Sequence, residues 1–352
     1  MENLLYERRR RFRATGIAVF VMALGLLLSR IIAQLLPESI PSLTTDIIFT
    51  ILVQVVFLGG GTFLVYWLYL KKKPREIFEL SNFRKTDYRI LLLCIPLGAC
   101  VLVATTCISS AWYMLLKKLG YSPSGGTAIL SEFRWYNLLV EIVLTGLAPA
   151  IFEEFIHRGG LLSTMRGSYD EAKTVIIAGV IFGLFHQSIT QVFYTALFGA
   201  LMAFLVLRTK SIYPAMVIHA VNNSLSVYND YAKVYSNLPL HSFFSWINNL
   251  MLTAFPIVMM MFFAIIVSGV AIFFLILYLT RHKKSVHIRA IRNVSDGSTI
   301  VAVEDESLDD NSTPVLEDTL LYKPTPRDYA FYIGGLVITI LTTICSFVWG
   351  VI

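Results

Sequence analysis

Residues 146–160 read Gly146-Leu-Ala-Pro149-Ala-Ile-Phe-Glu153-Glu154-Phe-Ile-His157-Arg158-Gly159-Gly160, inside a run from 137 to 165 that is otherwise apolar enough for a membrane helix. An ionisable side chain in such a run is costly unless it faces protein or water. The stretch therefore calls for neighbouring helices that shield it, and it predicts a polytopic bundle. Helical spacing puts Glu154 and Arg158 at i, i+4, where the two charges can pair. Glu153 is turned about 100° away, onto a face with Gly146, Pro149, Ala150, His157 and Gly160. It is thus expected to lack the obvious partner. Its small neighbours allow close backbone approach, and Pro149 is expected to loosen the helix one turn earlier.

Composition extends this reading to the whole chain. Of 352 residues, 56% are hydrophobic and 15% charged, with a mean hydropathy of +0.68, whereas a soluble chain carries about 25% charged residues. A soluble globular enzyme, a disordered chain, a collagen and a disulfide-stapled module are all excluded. The four cysteines, at 94, 100, 107 and 345, are expected as packing thiols. A hydrocarbon core of about 30 Å takes about 20 apolar helical residues. Such stretches fall near 14–36, 47–70, 90–116, 137–165, 174–189, 191–207, 211–228, 254–280 and 329–352. The expected fold class is all-α, a polytopic integral membrane helical bundle of about nine spans. Eight is the alternative, because the fifth, sixth and seventh are short. The first follows Arg8, Arg9, Arg10, Arg11 and Arg13 but is too long for a signal peptide and lacks a cleavage site, so it reads as a retained anchor.

With the N-terminus placed in the cytoplasm, basic groups collect inside: five at the start, seven between Lys71 and Arg89, Arg166 with Lys173, Arg208 with Lys210, and seven from Arg281 to Arg327. Only Lys117, Lys118, Arg134 and Lys233 fall outside. This predicts a multi-pass membrane protein with its C-terminus outside; the expected location, not read from the charges, is a bacterial cell membrane. The net charge of +6 sits at the ends of apolar runs, so no nucleic-acid partner is expected. The chain divides into three N-terminal spans (1–134), a core (135–228), a loop and eighth span (229–284), a polar cytoplasmic loop (285–328) and a C-terminal span (329–352). The polar loop, with an acidic run through Glu304, Asp305, Glu306, Asp309 and Asp310, is expected to be a solvated linker. Gly59, Gly60 and Gly61 have no following Lys-Ser or Lys-Thr, so they read as helix packing and not as a phosphate loop.

Two further spans carry polar groups. Gly179, Gly183 and His186 share one face, with Phe182 a turn before the histidine, so this glycine seam should meet another helix. In the seventh span Ala215, His219, Asn222, Asn223 and Ser226 form a polar stripe, costly against lipid. Singly, each group has a bland reading as an ion pair, a packed ring or an interhelical amide. Together a carboxylate pair, two histidines and a histidine-spaced amide suggest a water-activating site. Extending the fourth helix through about Met165 brings Glu153 and His186 to compatible depths, and leaves Gln187, Ser188 and Gln191 as a polar turn in a protein-lined cavity.

At these residues the sequence resembles the CPBP family of intramembrane proteases, also called the Abi or CAAX-protease (Rce1-like) family. The family's EExxxRG stands as Glu153, Glu154, Arg158 and Gly159, its FxxxH as Phe182 and His186, and its HxxxN as His219 and Asn223. His157 departs from the aromatic residue that often precedes the arginine. The resemblance implies a helical membrane core hydrolysing a peptide bond of a membrane peptide or protein, with the lipid bilayer as its other partner. On this reading Glu153 activates water, His186 positions it or shares the proton, His219 and Asn223 donate to the oxyanion, and Arg158 orients Glu154. No cofactor is favoured. The alternative is zinc, with Glu153, His186 and His219 as ligands and Glu154 as base. Two other classes compete: an idle family member acting as a scaffold or bacteriocin-immunity factor, and a proton-coupled transporter. The absence of an internal repeat disfavours the transporter.

Overall fold

Long apolar runs bounded by charged residues give long helices, and the computed structural model places one over each of the nine expected stretches. It describes residues 2–37, 42–122, 134–243, 245–246, 255–280, 287–292, 299–304 and 322–351. In chain order these are α1 (Glu2–Leu35), α2 (42–70), the short α3 (Pro74–Leu80), α4 (Tyr88–Lys118), α5 (135–165), α6 (Glu171–Phe185), α7 (Val192–Thr209), α8 (Tyr213–Val234), α9 (Phe255–Thr280) and α10 (Ala330–Trp349).

Six helices among the described residues are long and apolar enough to cross a membrane: Leu5–Ala33, Thr44–Leu70, Tyr88–Lys118, Val192–Thr209, Met259–Thr280 and Pro326–Trp349. The protein is an integral membrane bundle. The other three expected spans are helical but do not meet that standard, and each for a visible reason. α5 contains Glu141, Glu153, Glu154 and Arg158, α6 has only 15 residues, about 22 Å of helix, and α8 carries His219, Asn222, Asn223, Asp230 and Lys233. These are the three helices that hold the candidate site. Large apolar side chains on the others point outward, among them Leu68, Leu92, Met260 and Phe263, as a lipid environment requires.

Two large clusters make up most of the apolar interior. One gathers Cys94, Leu97, Met202, Leu205, Ile218 and Ile276 from α4, α7, α8 and α9. The other gathers Phe12, Val19, Met22, Leu58 and Tyr332 from α1, α2 and α10. α5 and α6 contribute to both, through Leu162 and Phe182 on one side and Ile156, Leu161, Ile181 and Phe185 on the other. α5 and α6 therefore lie along the seam between these two clusters. Gly179 and Gly183 let α6 lie close against α7: a Cβ on Gly179 would stand 2.7 Å from the Ala196 carbonyl oxygen, and one on Gly183 2.5 Å from that of Val192. The expected glycine seam is present. Gly59 of the glycine run packs against the Phe152 ring of α5.

One end of the bundle is tied by polar contacts. The fully buried Asp328 side chain accepts from Arg13 Nε at 2.6 Å, Arg9 Nε at 3.2 Å, Thr325 N at 2.8 Å and Oγ1 at 2.7 Å, and from Tyr322 Oη. Arg11 Nη2 donates to the Leu80 carbonyl at 2.6 Å and to Ser163 Oγ at 2.7 Å. The N-terminal arginines, the segment after α2, the end of α5 and residues 322–328 thus share one side.

The polar stretch 285–328 was expected to lack regular structure, and here the structure differs. His287–Arg292 (β1) pairs antiparallel with Thr299–Glu304 (β2), from His287 opposite Glu304 to Arg292 opposite Thr299. β-branched Ile288, Ile291, Ile300, Val301 and Val303 favour strands, a local preference that the scarcity of large apolar residues masked. Asp305, Glu306, Asp309 and Asp310 of the acidic run lie outside the described residues.

Candidate active site

α5 is one continuous helix from 135 to 165, as far as the expected Met165, but it is not uniformly wound. Ile142–Leu147 and Phe155–Leu162 are π-helical, and between them Ala148–Glu154 is α-helical. Such turns are rare and cluster at functional sites. Pro149 lies just past the first one. The second leaves the Arg158 carbonyl to accept from Asn82 Nδ2 at 2.9 Å.

The two adjacent carboxylates have different surroundings. Glu154 is fully buried, and its Oε1 accepts from Arg158 Nη1 at 2.9 Å and from His219 Nδ1 at 2.8 Å. The i, i+4 pair expected from spacing is there, and a third member joins it from α8, 65 residues away. Glu153 is half-buried and, contrary to expectation, has a partner: Gln54 Nε2 of α2 donates to its Oε1 at 2.8 Å. Its Oε2 makes no hydrogen bond among the described residues.

Phe182 sits at the centre. Its ring centroid is 4.2 Å from Arg158 Cζ, 5.0 Å from the ring centres of both His157 and His186, and 6.0 Å from that of His219. Cation–π attraction of this kind holds a guanidinium in place when water is excluded. Arg158 Nη2 also donates to the Gly199 carbonyl at 3.0 Å, and a Cβ on Gly199 would stand 2.8 Å from Phe182 Cβ. Glycine is needed there for α7 to come this close.

The histidine hydrogen bonds fix their protons. His186 Nδ1 lies 3.0 Å from the Phe182 carbonyl oxygen, which can only accept, so Nδ1 carries the hydrogen and the neutral ring presents Nε2 as an acceptor. His219 Nδ1 likewise donates to Glu154, so His219 offers a second donor at Nε2 only as an imidazolium. Asn223 Nδ2 spends one hydrogen on the Thr145 carbonyl at 3.0 Å, and its Oδ1 accepts from Asn222 Nδ2 at 2.9 Å. His157, buried against Phe182 and Phe185, is a packing ring.

Beyond His186 the chain makes the expected polar turn. Gln187 is fully buried with φ +49°, and neither atom of its amide has a partner among the described residues. Trp112 Nε1 of α4 donates to the Ile189 carbonyl at 2.6 Å, and Ser346 Oγ of α10 accepts from Ile189 N at 2.8 Å. On the other side Arg30 Nη2 of α1 donates to the His186 carbonyl at 3.1 Å.

Of the six predicted site residues, Glu153, Glu154 and Arg158 lie on α5, His219 and Asn223 on α8, and His186 caps the C-terminal end of α6. The geometry links Glu154, Arg158 and His219 directly, places Glu153 and His186 within electrostatic reach of each other, and sets Asn223 against α5. Among the described residues no three His, Cys, Asp or Glu side chains are arranged to hold a metal ion. The trio Glu153, His186 and His219 does not form a ready-made zinc site. Sequence reasoning missed Gln54, Gly199, Asn82 and Thr145. Only Gln54 gave a signal, as a lone amide in an apolar span.

Residues 135–225 match the family described as Rce1-like, type II CAAX prenyl endopeptidase. The matched segment is α5 to α8, the site helices with α7 between them, and over it the chain is similar to that family of membrane proteases. No curated protein and no solved structure matches the chain.

Proposed function

We propose that this protein is an intramembrane endopeptidase acting on a membrane-associated peptide or protein, with Glu153 as the base that activates water. The observation carrying this reading is the division between the two carboxylates. Glu154 is fully buried, with Arg158 and His219 both on its Oε1 and no partner on its Oε2 among the described residues, whereas Glu153 is half-buried and so can meet substrate and water, steadied on Oε1 by Gln54 with its Oε2 open. One is positioned to organise the site and the other to take a proton.

In this mechanism a water accepted by His186 Nε2 gives its proton to Glu153 Oε2 as its oxygen attacks the peptide carbonyl. The oxyanion meets the second amide hydrogen of Asn223 and His219 Nε2–H, the latter when His219 is an imidazolium held by Glu154. Glu153 then returns the proton to the leaving amine. Arg158 holds the Glu154 side chain in place. These steps are written without a metal.

The test is cleavage of a membrane-tethered reporter by the purified chain in lipid. Glu153→Gln keeps shape and hydrogen bonding but removes the base, and cleavage should be lost. Unchanged cleavage in Glu153→Gln would remove the residue from this role. Inhibition by a chelator, restored by zinc, would replace the mechanism with a metal-assisted one. A scaffold would show no cleavage in either form.

A further inference from the structure

α8 carries its polar stripe one turn further than the candidate site uses. His219, Asn222, Ser226 and Asn229 follow one another at intervals of three, four and three residues, so they form one row from the site toward the C-terminal end of the helix. Elsewhere this part of the helix is packed: Val221 against Gly98 of α4, Ser224 against Gly146 of α5, and Val227 against the cluster of Leu138, Tyr235 and Leu238. The row is not spent on such contacts. Asn222 gives an Nδ2 hydrogen to Asn223, but its Oδ1 is buried and accepts from nothing among the described residues. Ser226 and Asn229 are half-buried, and their side chains make no hydrogen bond among the described residues. Polar groups half-withdrawn from water without partners are costly to keep.

We propose that this row binds the main chain of an extended stretch of substrate beside the scissile bond. The inference rests on the peptidase reading for the position of that bond, which His219 and Asn223 mark. A peptide bond within a helix is shielded, so a membrane segment must unwind there to be cut. The N–H and C=O groups it releases need partners away from bulk water, and side-chain amides and hydroxyls offer both donors and acceptors. The spacing fits. Asn222 to Asn229 covers about 10.5 Å of helix, the length of about three residues of extended chain at about 3.3 Å each. Recognition of this kind reads main chain and not side chains. The substrate class is therefore a membrane segment of weak helical propensity, chosen by its ability to extend and not by a fixed sequence.

Peptide binding to the purified full chain carrying Glu153→Gln tests this without cleavage. The probe is a short fluorescent peptide of alternating leucine and glycine, read by anisotropy in detergent, beside a leucine–alanine peptide of equal length that favours helix. The leucine–glycine peptide should bind more tightly, and Asn229→Ala should weaken it about three- to tenfold, the worth of one neutral hydrogen bond. Replacing its amides by esters, which removes N–H donors, should weaken binding to the parent more than to Asn229→Ala. Ser226→Ala should show a smaller loss, and with the ester peptide it carries the test if Asn229→Ala does not fold. No binding of the leucine–glycine peptide, equal binding of the two peptides, or unchanged affinity in both folded variants overturns the proposal and leaves the row as a lining for water. If the peptide binds as described but the unsubstituted chain cuts no reporter, the peptidase reading fails and the row stands. If the reporter is cut while neither variant nor the esters alter binding, the row fails alone.

Discussion

Phe182 lies against the guanidinium of Arg158, 4.2 Å from ring centroid to Cζ, and among the described residues is the one side chain in ring contact with His157, His186 and His219 together. The phenylalanine of the FxxxH pattern is thus the surface on which the other groups are arranged. Phe182→Leu should retain the fold, at a cost of about 1–2 kcal/mol for the lost cation–π and ring contacts, and should depress kcat more than KM. Thermal unfolding and reporter cleavage on the same preparation check both. Normal kcat would show that the ring only fills space.

Arg158→Ala leaves Glu154 buried with His219 as its remaining partner among the described residues. The expected destabilisation is about 3–5 kcal/mol, read as a lowered thermal midpoint. Adding Glu154→Gln removes the stranded charge, so the double variant should recover much of the midpoint but not the cleavage. Equal stability of the single and double variants would mean the pair carries no weight in folding.

Gln54→Leu removes the donor that steadies Glu153. A hydrogen bond to a charged group is worth about 1.5 kcal/mol at its lower end, or about tenfold. Cleavage should fall by about that factor in kcat, with KM little changed. A variant that changes KM alone would reassign Gln54 to substrate binding.

Asn223→Ala should fold and lose about 10²- to 10³-fold in rate, as removal of an oxyanion donor does. Since Asn223 also donates to Thr145, the control is Thr145→Val, which keeps the backbone carbonyl and should cleave normally. Loss of rate in both would point to α5–α8 packing as the cause.

Accessible positions for a topology test are Arg75 and Lys323, both exposed, whereas Ser81, in the same basic segment as Arg75, is fully buried. Cysteines placed at Arg75 and Lys323 in intact cells should resist an impermeant reagent together and react together after lysis. Labelling of only one would break the shared side that Arg11 and Asp328 establish.

Much of the site was legible because it is local. The Glu154–Arg158 pair follows from four-residue spacing, the glycine seam of α6 from its repeat, and the polar stripe of α8 from the cost of amides in lipid. What spacing cannot show is which helix arrives opposite. His219 reaches Glu154 across 65 residues and Gln54 reaches Glu153 across 99, and neither distance leaves a trace in the intervening sequence. The π-helical turns were hinted at by Pro149 alone. The hairpin at 287–304 was missed for the opposite reason: its alternation is local, but composition over a longer window outweighed it.

The contact of Arg9 and Arg13 with Asp328 bears on how the protein is made. Arg13 and Asp328 are 315 residues apart, and a ribosome adding about 5–20 residues per second reaches the aspartate roughly 15–60 s after the arginine. During that interval α1 must wait in the membrane without α10 and without the carboxylate that engages its arginines. Assembly of the half of the bundle built on α1 is therefore a late event in biogenesis, completed when the final helix inserts. A nascent chain released before residue 328 would hold the entire matched segment and still lack the clasp that closes the bundle around it.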